Sequence, residues 1–60
     1  MTLPQFTAAV EAELRLLGEP FAFGDLLEYA ADVWPLARED PDPSRWARAF
    51  LEARGLPASR

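Results

Sequence analysis

Three groups of side chains in this 60-residue chain have types and spacing that could do chemistry. Asp40, Asp42 and Ser44 alternate as the first three ligands of an EF-hand calcium loop do. Glu28 and Asp32 stand one helical turn apart, the spacing of a carboxylate pair for acid–base work or of a di-metal helical site. Arg45 and Arg48 share a helical face, with Arg54 further on, so that three cations could meet a phosphate backbone.

Each pattern loses its chemistry on closer reading. In the calcium-like stretch Arg45 stands where the sharp-turn Gly belongs, and Leu51 replaces the bidentate Glu. Two prolines stiffen the same segment, which makes helix punctuation the simpler use of its acids. A di-metal bundle wants Glu-x-x-His partners, and the chain has no His. It also has no Cys and no Lys, which removes most protein nucleophiles, neutral-pH bases and transition-metal ligands. Ser44 and Ser59 have no candidate base beside them. The expectation is a non-enzymatic protein with no cofactor and no bound metal.

Charge weighs against the phosphate-binding pattern. Residues 1–43 hold nine acids and two Arg, a net of −7, whereas residues 44–60 carry a net of +3. The sequence pI is about 4.5, and so acidic a domain repels nucleic acid. Ile and Asn are missing along with Lys, while Ala, Arg and Pro are plentiful, a pattern that base composition alone produces. Arg45, Arg48 and Arg54 are therefore kept as phosphate contacts only for the alternative reading, a nucleic-acid-binding regulator.

The elements that must position these residues are helices. Thr2 and Gln5 form a T-x-x-Q capping box with Pro4 in the first turn. Leu3, Phe6, Val10, Leu14 and Leu17 follow as one stripe, and Gly18 stops the helix. A second helix begins between Phe21 and Asp25, where Asp25 and Glu28 give a D-x-x-E start signal. Phe23, Leu26, Leu27, Ala30, Val33, Trp34 and Ala37 make its apolar face, and Pro35 should kink or end it. Asp42 then caps a third helix with Pro43 at its first position. Trp46, Ala49, Phe50 and Ala53 are its stripe, and Gly55, Leu56 and Pro57 its stop. The spans predicted are about 3–17, 24–38 and 43–54. Both connectors are short, so the fold class expected is all-α, a single small antiparallel three-helix bundle.

A chain this short is marginal. Apolar burial contributes about 87 kcal/mol, whereas ordering the chain costs about 90 kcal/mol. With no disulfide to help, it must pack well or find a partner. The apolar surplus points to a partner: Leu16 lies off the first stripe, Phe21 and Phe23 bracket one residue in a linker, and Trp34 is large enough to be a binding anchor. Leu16, Phe21, Phe23 and Trp34 are the candidate interface. The function expected is a small protein-interaction module, bound to itself or to another protein. An antitoxin-like acidic partner of an enzyme or toxin is a special case of that reading. No apolar run spans a bilayer, and Met1 is followed by Thr-Leu-Pro rather than by a secretory signal. Together with the missing Cys, this predicts a cytoplasmic protein without membrane contact.

Overall fold

The computed structural model describes residues 1–53 and contains three helices: α1, Leu3–Leu17; α2, Phe23–Ala37; and α3, Pro43–Ala53. The predicted Gly55-Leu56-Pro57 stop, and Arg54 with it, lie outside the described residues.

Local chemistry fixes the helix ends. The capping box closes α1: the Thr2 N–H donates to Gln5 Oε1 at 2.8 Å, and the Gln5 N–H donates to Thr2 Oγ1 at 3.3 Å. Gly18 ends the helix at φ 74°, a left-handed conformation that glycine adopts without steric cost. The Gly18 N–H reaches the Arg15 carbonyl and the Glu19 N–H reaches the Leu14 carbonyl, which is the Schellman arrangement. At α3 the Asp42 carboxylate accepts from the Ser44 N–H at 3.1 Å, with Pro43 in the first position as predicted.

The start of α2 differs in detail from the D-x-x-E signal. Ala22 occupies the cap position without any side-chain bond, and Asp25 lies inside the first turn. There its carboxylate complements the helix dipole instead of capping. At the other end α2 does not stop at Pro35; it continues to Ala37. A proline so near the terminus removes a single hydrogen bond, and the Arg38 N–H still donates to the Trp34 carbonyl at 2.9 Å.

Aromatic contacts set the helix directions. Phe6 near the start of α1 meets Trp34 near the end of α2, with ring centroids 5.4 Å apart, while Arg15 lies over Phe21 just before α2 begins. These two helices are therefore antiparallel. Tyr29 meets Phe50 at 5.0 Å, and its hydroxyl donates to the Trp46 carbonyl at 2.9 Å. Phe6 also meets Trp46 edge-on at 6.5 Å, which places the start of α3 beside the start of α1.

The core consists of Phe6, Val10, Leu14, Leu26, Ala30, Ala37, Ala47 and Phe50. Two expectations for α3 change. Ala53, predicted on the buried stripe, is exposed, and Ala47, off that stripe, is fully buried. The cause is a rotation of the helix about its axis. Trp46 is held toward the connector by its Nε1–H, which donates to the Asp40 carbonyl at 2.8 Å, so the small Ala47 faces inward. Thr7 is the buried polar residue of the core, and its hydroxyl donates to the Leu3 carbonyl at 2.9 Å. Among the described residues no buried side-chain polar atom lacks a partner, and no helix is long and apolar enough to cross a membrane.

Candidate interaction groove

α1 and α2 pack through Phe6, Val10, Leu14, Leu26 and Ala30, but their solvent-facing flanks do not meet. Between them runs a groove of about 330 Å³ whose walls are Leu3, Pro4 and Ala8 on α1 and Phe23 and Leu27 on α2. No α3 residue lines it. Phe23 is 50 % exposed and Leu27 47 %, so two large apolar side chains stand half in water at its edge. Thr7 and Glu11 are the polar residues lining it. The Thr7 hydroxyl is engaged by its own helix, and the Glu11 carboxylate holds Arg15 at 2.7 Å.

A second concavity adjoins the first at Phe23 and follows the connector past Gly18, Glu19, Pro20 and Phe21. Phe21 is half-buried here, with the Arg15 guanidinium 5.8 Å from its ring centre. A cation over an aromatic face is attracted by the ring quadrupole, and this contact with the Glu11 pair fixes Arg15 along the rim.

The four predicted interface residues thus separate. Phe21 and Phe23 come together around the shared concavity. Leu16 is 81 % exposed but lines neither cavity. Trp34 is half-buried, packs on Phe6 and likewise lines neither. Leu27, assigned by periodicity to the second helix's buried face, stands instead at the groove edge. Pro4 and Ala8 were missed altogether. Their signal is weak: two small residues at i and i+4 on the flank of the α1 stripe.

The cation pattern on α3 is only partly available. Arg45 pairs with Asp40 at 2.7 Å and lies 5.5 Å from the centre of the Trp46 ring. Arg48 lies beside it on a shallow surface that Asp42 and Glu52 also line, so each exposed cation has an acid nearby. The calcium-like segment is likewise occupied by its own chain. Asp40 holds Arg45, and Asp42 caps α3. Burial pushes the Tyr29 phenol above its ordinary pKa of 10.0. Its hydroxyl is already committed to the Trp46 carbonyl, so it serves the α2–α3 contact. Compared with known protein families, with curated proteins and with solved structures, the chain gives no match.

Proposed function

We propose that this chain is a small non-enzymatic protein-interaction module whose binding face is the α1–α2 groove. The observation that carries the reading is the half-exposure of Phe23 and Leu27 across an apolar trough; Met1, Leu16, Leu17 and Leu36 are exposed as well, but they line neither the trough nor the concavity beside it. A marginal 60-residue fold gains little by leaving a ring in water, whereas large apolar anchors beside a recess are what an interface needs. The polar groups at the groove are already satisfied within the chain, which supports docking over turnover. Absent Cys supports a reducing compartment such as the cytoplasm.

Photo-crosslinking in the host cell tests this reading. A photoreactive residue at Ala8 or Leu27 should give a discrete adduct with another protein. The same residue at Leu36, 71 % exposed and outside the groove, should not. Equal adduct patterns from both places, or none from the groove, overturn the reading. Salt-sensitive DNA binding lost in an Arg45→Ala/Arg48→Ala variant would replace it with the nucleic-acid alternative.

A further inference from the structure

We propose that the α1–α2 groove takes a cationic amphipathic helix of another protein, lying along α1 with an apolar side chain over Phe23 and Leu27. The inference deepens the interaction reading and rests on it; what it adds is the chemistry of the partner.

Shape is the first argument. The two concavities, about 330 Å³ and about 460 Å³, share Phe23 and together follow α1 from Leu3 to Gly18. That length of helix rises about 22 Å, enough to seat about four turns of a second helix. The walls of the first concavity are side chains on two packed helices, the second is walled by Arg15, the connector and Phe23, and the described residues contain no strand whose edge a partner could extend. Helix-in-groove docking is the recognition mode that suits such a surface.

Charge is the second argument. α1, α2 and their connector carry six acids and a single cation, Arg15. Glu11 already holds that cation, so the groove has no free positive charge to offer. Glu19 lines the second concavity and forms no ion pair among the described residues, whereas the acids of α2, Asp25, Glu28 and Asp32, line the α2–α3 face and add only to the wider field. The groove therefore has an apolar floor and the Glu19 carboxylate at its connector end, within a pair of helices of net negative charge. A partner bearing Arg or Lys on the flanks of an apolar stripe gains from both features, and its encounter is steered by the field. A second copy pairing this face with itself brings two such acidic layers together, which costs free energy.

Two synthetic peptides of about five helical turns test the assignment. They share one Leu/Ala stripe at helical spacing and differ in flanks of Lys or of Glu. Each is titrated into isotope-labelled protein while the amide resonances are followed. The Lys peptide should shift Ala8, Phe23 and Leu27, and its affinity should fall as salt is raised. Phe23→Ser should weaken it about thirtyfold, the loss expected for an aromatic anchor, while the protein still melts cooperatively. Glu11→Gln/Glu19→Gln should flatten the salt dependence.

Failure to bind the Lys peptide at ~1 mM, where affinity is only about 4 kcal/mol, overturns the assignment. So does equal binding of the Glu peptide, or shifts confined to α3. A homodimer in sedimentation that Phe23→Ser dissolves also overturns it, in favour of a second copy. The crosslinking result is independent of all four, so the interaction reading can stand when the cationic assignment falls.

Discussion

The two sides of α1 are built from the same kinds of residue and end in opposite states. Toward α3 and the far end of α2, Phe6 is ringed by Trp34 and Trp46, and Tyr29 closes over Phe50. Five of the seven aromatic residues are spent there. Small residues on that side, Ala30 and Ala47, are fully buried because large neighbours reach across them. On the other side Ala8 faces Phe23 and Leu27 of α2 only across the trough, and its small size leaves that space open. The remaining aromatics, Phe21 and Phe23, sit at the edge of this open side. Burial follows from what stands opposite a residue, not from its own hydrophobicity.

The sharpest way to break that contrast is to remove a ring from the closed side. Phe50→Ala should cost about 3–5 kcal/mol, a large share of the stability of so small a domain. Far-UV circular dichroism should then show loss of the cooperative melt. A melting temperature lowered by a degree or two would instead place Phe50 outside the stabilising core. Adding volume tests the same side from the opposite direction. Ala47→Leu inserts a branched side chain at a fully buried position and should cost about 1–3 kcal/mol in chemical denaturation.

Tyr29→Phe should cost about 1 kcal/mol through its lost hydrogen bond to the Trp46 carbonyl. It also carries a pH signature. Burial raises the pKa of the folded phenol, so the stability it contributes is fully present below the unfolded value near 10 and is lost as pH rises through the folded value. The chain has no Lys and no Cys, and Arg stays charged in this range. Alkaline loss of stability above pH ~10 should therefore be present in the natural protein and absent in Tyr29→Phe. Equal alkaline loss in both would separate Tyr29 from the α2–α3 contact.

The smallest effect belongs to the open side. Ala8→Leu places the same side chain as Ala47→Leu at the exposed wall of the open trough, and it should change stability by less than about 0.5 kcal/mol. A cost matching that of Ala47→Leu would show that the groove is closed in solution.

The helix ends were largely legible because punctuation is local. Thr2 with Gln5, Gly18, and Asp42 with Pro43 each act on neighbours within a few residues, and each does so in the structure. The start of α2 was less legible, since Ala22 caps it through its backbone alone. Asp25 carries the expected side-chain signal three residues later, where it meets the dipole instead. The groove was legible only through Phe21 and Phe23. Leu27 bears the same periodic signal as its buried neighbour Leu26, and periodicity assigns a face without saying whether another helix covers it. The rotation of α3 depends on the long-range bond from the Trp46 indole to Asp40, which no helical repeat encodes.

The paired tryptophans around Phe6 have a practical consequence. Both indoles sit against one phenyl ring, and neither lines the groove. Intrinsic emission is thus an optical gauge of a single junction, where the start of α1 is clasped by the other two helices. A ligand seated over Phe23 and Leu27 should leave the emission wavelength unchanged, whereas loosening of the clasp should shift it to the red. A red shift on adding a ligand would therefore signal that the bundle had opened, and a silent spectrum beside moving amide resonances would mark rigid docking.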